Sequence, residues 1–232
     1  MANRKKEGAP AYNVIGILGL IGAGKSTLVQ KCSRIPCIHV VKENIDDYTS
    51  FKEHNPLEQM YSDPVKNSPI AQLHFIKCVN QIMIETIKNT PQSKILVSDR
   101  TLFCPLTFIQ TQYDEGTISK FTSDYLRTET FETAEKTVTE CNIKYIGIFY
   151  IATPTATCKK RIVERNRSCE QNIPMKYLDD LESEYMNHLH WWKMKIGPER
   201  VMTVDGTQSS EILFDKFCDF LEIMSVSSEI TC

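Results

Sequence analysis

Five short apolar runs punctuate the chain, at residues 14–18, 37–42, 94–98, 144–151 and 200–204. They are near-continuous rather than alternating, as expected of parallel strands buried on both faces. Segments of helical period separate them. The spacing predicts helices over residues 26–32, 68–89, 105–113, 123–139, 154–167, 174–196 and 211–224. Apolar positions crowd the second of these, which Ser68-Pro69 opens, so burial on more than one side is expected there. The helix at 123–139 is rather polar. This alternation predicts an α/β fold, a five-stranded parallel sheet with helices on both faces. Ligands of such sheets gather at the carboxyl ends of the strands. Three segments lie just past such an end: 19–27, 43–48 and 99–101.

Composition narrows the class without naming a chemistry. The 232 residues fit one domain, and an apolar fraction of 41% is enough for a packed core. A domain over 13–232 after a flexible tail at 1–12 is the expected division. Net charge is −2, so no global basic field points to a nucleic-acid partner. The tail carries Arg4, Lys5 and Lys6 but no apolar segment, so it is not expected to be a secretory signal. No apolar run reaches the ~18 residues of a membrane span. The nine cysteines form no Cys-x-x-Cys pair and the five histidines complete no zinc spacing. Reduced thiols in an intracellular, cytoplasmic protein are therefore expected, without a structural zinc.

The chemistry starts at residues 19–27, Gly-Leu-Ile-Gly-Ala-Gly-Lys-Ser-Thr. A Gly, four residues and Gly-Lys-Ser between a strand and a helix form a phosphate loop. Backbone N–H groups of Gly19, Gly22, Ala23, Gly24 and Thr27 would surround phosphate oxygens at a helix N-terminus. Lys25 would reach the β- and γ-phosphates and the Ser26 hydroxyl would ligate Mg²⁺. A nucleoside triphosphate, ATP with Mg²⁺, is the expected ligand; a plain glycine-rich turn is the alternative. Glu43 reads either as a carboxylate placed to take a proton from a substrate hydroxyl or as a solvated loop acid. Asp99 stands where phosphate-loop enzymes place an acid that holds the metal, and Arg100 beside it could grip phosphate; a surface ion pair is the alternative. Lys159, Lys160, Arg161, Arg165 and Arg167 make a second basic cluster, with Arg161 and Arg165 on one helix face. It reads as a mobile lid over about residues 158–173, against the alternative of a solvated basic face.

Taken together, these segments resemble the deoxyribonucleoside kinase family, which includes deoxycytidine, deoxyguanosine and mitochondrial-type thymidine kinases. The resemblance covers about residues 13–224. Val40-Val41-Lys42-Glu43-Asn44-Ile45 with Tyr48 is similar to the family's Glu-Pro segment followed by an aromatic, with Asn44 in place of the proline and Tyr48 in place of the usual Trp. Asp99-Arg100-Thr101 resembles the family's acid-Arg-Ser. The stretch from Arg161 through Arg165, Arg167, Glu170-Gln171, Ile173-Pro174 and Tyr177-Leu178 resembles the family's arginine lid and the segment after it; Cys169 replaces a common acid. Gln59-Met60-Tyr61 before Asp63-Pro64, with Gln72 eleven residues on, completes the likeness.

The resemblance implies a P-loop kinase in which Glu43 is the general base for the sugar 5′-hydroxyl. Asp99 organises Mg²⁺ and Arg100 contacts the reacting oxygen. Tyr61 and Glu170 hold the 3′-hydroxyl, and Gln72 reads the base edge. Deoxycytidine-type members place an Arg and an Asp near the base, where this chain has Val79 and Pro105. That apolar wall favours thymidine or broad pyrimidine use. Family members pair through helices, so a homodimer is implied. A thymidylate kinase, which shares the loop and an Asp-Arg, is the nearest competitor; an inactive nucleotide-binding relative is another. The absence of an Asn-Lys-x-Asp guanine reader argues against a GTPase switch.

Overall fold

A computed structural model describes residues 11–43, 45–92, 94–171 and 173–226. The basic residues of the expected tail, and Asn44, lie outside the described residues. Tyr12, placed in that tail by the sequence, instead begins the first strand. The strands are β1 (Tyr12–Leu18), β2 (Ile38–Val41), β3 (Ile95–Asp99), β4 (Ile143–Ala152) and β5 (Val201–Asp205). They form one parallel sheet in the order β2-β3-β1-β4-β5, with all five predicted strands present. In β1, Val14, Ile15, Ile17 and Leu18 are fully buried, as are Ile95, Leu96 and Val97 of β3, which explains their unbroken apolar character. β1 pairs with β3 on one side and β4 on the other, so the segment leaving β1 emerges between two strand ends. There the chain folds into the phosphate loop.

The helices are α1 (Lys25–Cys32), α2 (Ile45–Thr49), α3 (Pro56–Ser62), α4 (Pro64–Lys88), α5 (Pro105–Asp114), α6 (Lys120–Glu140), α7 (Thr155–Arg165), α8 (Met175–Ile196) and α9 (Ser210–Val226). Two of them, α2 and α3, are absent from the sequence prediction. α3 starts where the Asn55 side chain accepts from the Glu58 N–H, with Pro56 as the first helical residue. Asp63 and Pro64 repeat this arrangement for α4, which therefore opens four residues before Ser68. Pro69 lies inside α4, where it removes one helical hydrogen bond without ending the helix. The dense apolar spacing overstated the burial of α4, since Ile70 is 70% exposed. α7 ends at Arg165 on a left-handed Asn166 (φ 53°), so Arg167 stands beyond the helix.

Among the described cysteines, Cys32, Cys78, Cys104, Cys141, Cys158, Cys169 and Cys218 are free thiols. No helix among the described residues is long and apolar enough to cross a membrane.

α8 packs its inner stripe of Tyr177, Leu178, Leu181, Tyr185, His188, Leu189 and Trp192 against the rest of the fold. His188 is buried, its Nε2 accepting from Trp192 Nε1 at 3.0 Å, and its ring stacks on Trp191. Burial pushes its imidazole down to about 4, so the folded protein holds it neutral. As pH falls below the ordinary 6.5, the unfolded chain takes a proton that the folded chain refuses. Stability is therefore expected to fall by about 3 kcal/mol between pH 6.5 and 4 and then level off. Urea midpoints across that range check this; a His188→Gln variant should lack this contribution to the slope.

Candidate active site

The phosphate loop is built from backbone conformations that side chains resist. Gly22 has φ 82°, and a Cβ there would lie 2.7 Å from the carbonyl oxygen of Cys158. Gly24, at φ 105°, is the N-cap of α1 and makes no side-chain cap, leaving the first N–H groups of the helix for a ligand. Lys25 is buried and its Nζ donates to the carbonyls of Gly19 (3.0 Å) and Leu20 (2.9 Å). Burial, reinforced by the Arg100 charge, lowers its pKa to about 8.

Across the loop, Ser26 Oγ donates to Asp99 Oδ2 at 2.8 Å. Asp99 Oδ1 is buried and has no hydrogen-bond partner. Burial, then the neighbouring Glu43 carboxylate, pushes the Asp99 carboxyl upward. An orphaned carboxylate oxygen beside a hydroxyl suits a hard cation bound by few protein oxygens. Among the described residues no group of three or more His, Cys, Asp or Glu could hold a metal. A cation here would therefore take its remaining ligands from phosphate and water.

Arg100 leaves β3 in the left-handed region at φ 74°. Its Nε donates to both Glu43 oxygens, at 2.8 and 3.0 Å, and its Nη1 donates to the Tyr185 hydroxyl at 2.7 Å. Phe108 lies under the guanidinium, 4.9 Å from its carbon. Burial opposes the charge on Arg100, yet Glu43 holds the guanidinium well above its ordinary range. The pair joins residues 57 apart in sequence, one after β2 and one after β3.

One cavity connects these groups to the predicted nucleoside contacts. Its lining includes Gly22, Lys25, Ser26, Glu43, Tyr61, Gln72, Val79, Arg100, Pro105, Arg165, Arg167 and Glu170. Glu170 is buried and paired with two arginines: Arg165 Nε donates to it at 2.8 Å, with Nη2 on the same oxygen, and Arg167 Nη1 approaches at 3.5 Å. Arg161 does not line this cavity; it donates to the carbonyls of Ala23 (3.3 Å) and Gly206 (3.1 Å), at the back of the loop. Gly19, Ala23, Gly24 and Thr27 lie in the loop and first turn of α1 without lining the cavity. The buried Gln72 donates to Gln112 Oε1 at 3.2 Å, and Gln112 donates to the Met60 sulfur at 3.2 Å.

Sequence reasoning passed over Gln112 and Tyr185. Gln112 is one polar position in α5 with no motif around it, and Tyr185 sits in the apolar stripe of α8. Tyr48 and Phe75, edge to face at 5.2 Å, also line the cavity.

Residues 15–229 match the family model for deoxynucleoside kinases. Thymidine kinase 2, mitochondrial, of Homo sapiens is 25% identical over 188 residues, covering 80% of this chain and 66% of that protein. Deoxycytidine kinase 1 of Xenopus laevis is 24% identical over 249 residues, covering 90% and 91%. Among solved structures, deoxyadenosine kinase from M. mycoides with bound dCTP superposes with a TM-score of 0.73 at 20% identity, covering 90% of this chain and 98% of that one. With the family match spanning residues 15–229 and the phosphate loop lining one cavity with Glu43 and Arg100, this protein belongs to the deoxynucleoside kinase family.

Proposed function

We propose that this chain transfers the γ-phosphoryl group of ATP to the 5′-hydroxyl of a deoxyribonucleoside, with thymidine or pyrimidines in general preferred. The observation that carries this reading is a single cavity with Lys25, Ser26 and Arg165 lining it together with Gln72 and Glu43. In this reading Glu43 takes the proton of the attacking hydroxyl, while Arg100 contacts the reacting oxygen. Lys25 and Arg165 stabilise charge on the transferring phosphoryl group, Arg161 supports the donor loop, and Arg167 assists from beyond α7. Tyr61 and Glu170 hold the 3′-hydroxyl, and Gln72 reads the base edge. Val79 and Pro105 offer the base an apolar wall, suited to a 5-methyl group. Ser26 and Asp99 would hold Mg²⁺, which neutralises phosphate charge when bound. Residues 158–173 act as the lid of a single kinase domain over 13–232. Exposed Ile70 and Leu73 on α4, with Phe121 and Tyr125 on α6, support pairing of two copies as a homodimer.

A thymidylate kinase would need free cations for a substrate phosphate. Here Arg100 is engaged by Glu43, Arg165 and Arg167 by Glu170, and Lys42 lies outside the lining. Arg165 is assigned to the donor in this reading, and Tyr61 with Glu170 suits a sugar hydroxyl, so the lining favours an uncharged acceptor. ADP release with ATP–Mg²⁺ is expected with thymidine and, more weakly, deoxycytidine, and not with thymidine monophosphate. Turnover confined to the monophosphate would replace this reading with the competitor, and ATP binding without any acceptor-dependent turnover would make the chain an inactive relative.

A further inference from the structure

We propose that Tyr185 is a positioning residue for phosphoryl transfer, acting by fixing the guanidinium plane of Arg100. The inference rests on the reading of Arg100 as a contact to the reacting oxygen. Arg100 needs external restraint, because a non-glycine residue at φ 74° occupies a sparsely populated conformation that its surroundings must enforce. Its backbone is tied down by donation to Ile17 O at 3.0 Å. Its side chain is held at one end by Glu43, and both of those contacts run through the single Nε atom. Two bonds from one nitrogen fix where that nitrogen sits but leave the plane free to turn about it. The 2.7 Å bond from Nη1 to Tyr185 adds the second anchored atom that stops this turning, and Phe108 closes one face.

Tyr185 is suited to this role by its own immobility. It is fully buried on α8, with its ring against Phe108 at 6.5 Å and Tyr150 at 6.0 Å. Burial also keeps the phenol protonated and uncharged, so it accepts from Arg100 without competing with Glu43 for its charge. Nη2 of Arg100 has no hydrogen-bond partner among the described residues and remains available to a ligand. With Nε and Nη1 both anchored, the direction of that donor is set before the nucleoside arrives. Misplacement of a catalytic group by about 1 Å can cost ~100-fold in rate.

Tyr185→Phe keeps the ring and removes only the acceptor. It is expected to lower kcat by about 10–100-fold while leaving KM for both substrates within about 2-fold. Arg100→Lys should itself be impaired, and adding Tyr185→Phe to it should lower kcat no further, since the two changes remove one arrangement. Additive losses in the double variant, or wild-type kcat in the folded fraction of Tyr185→Phe beside an impaired Arg100→Lys, would overturn the role of Tyr185 alone. Wild-type turnover in Arg100→Lys would instead withdraw the underlying reading of Arg100.

Discussion

Replacing Glu43 with Gln is expected to lower nucleoside-dependent ADP release by about 10²–10⁴-fold, the range of a positioned general base. Gln retains an oxygen that can accept from Arg100 Nε, so the geometry of that bond is kept while the proton acceptor and the negative charge are lost. The loss should fall on kcat rather than on KM for ATP, because Glu43 lies after β2 and the donor loop lies after β1. A second effect comes with it. Arg100 is largely buried, with 12% of its side chain exposed, and Glu43 is its charge partner. Removing one member of such a pair leaves an uncompensated charge and lowers stability. Melting curves separate the two effects, since a folded variant with residual turnover near wild type would remove Glu43 from the chemistry.

Arg165→Ala is expected to reduce kcat by about 10²–10³-fold, comparable to the loss of one preorganised donor to the transferring group. Arg165 closes α7 on the left-handed Asn166 and lines the cavity, with its guanidinium on Glu170. Truncation also removes the shorter-range partner of Glu170, which then relies on Arg167 at 3.5 Å. KM for the nucleoside should therefore not rise, since the carboxylate released by Arg165 is the one assigned to the 3′-hydroxyl. Single-turnover measurements with saturating nucleoside isolate the step. Unchanged phosphoryl transfer under those conditions would remove Arg165 from it.

Most of the sheet was legible because burial on both faces leaves an unmistakable apolar run, and β1 and β3 are largely buried. The phosphate loop was legible because its glycines are required by backbone geometry, with Gly22 pressed against Cys158. The short helices were not. α2 has 5 residues and α3 has 7, too few for a period to establish itself, although Asn55-Pro56 and Asp63-Pro64 carried capping signals that the apolar pattern obscured. The site contacts that escaped notice are those made by one polar atom in an otherwise ordinary helix position. Tyr185 reads as core in sequence because all but its hydroxyl is core. Gln112 is similar, since its significance appears only once α5 is folded against Gln72 on α4.

The pairing of Glu170 with Arg165 and Arg167 has a consequence for the order and energetics of substrate capture. Under the proposed roles, one carboxylate serves the sugar and its two partners serve the phosphates. A donor nucleotide that draws Arg165 away frees a lone pair on Glu170 for the 3′-hydroxyl, and a bound sugar that occupies Glu170 loosens its hold on Arg165. Each substrate thus lowers the cost of admitting the other. By linkage the factor must be the same in both directions, so the dissociation constant for thymidine should tighten in the presence of a non-hydrolysable nucleotide by as much as that for the nucleotide tightens in the presence of thymidine.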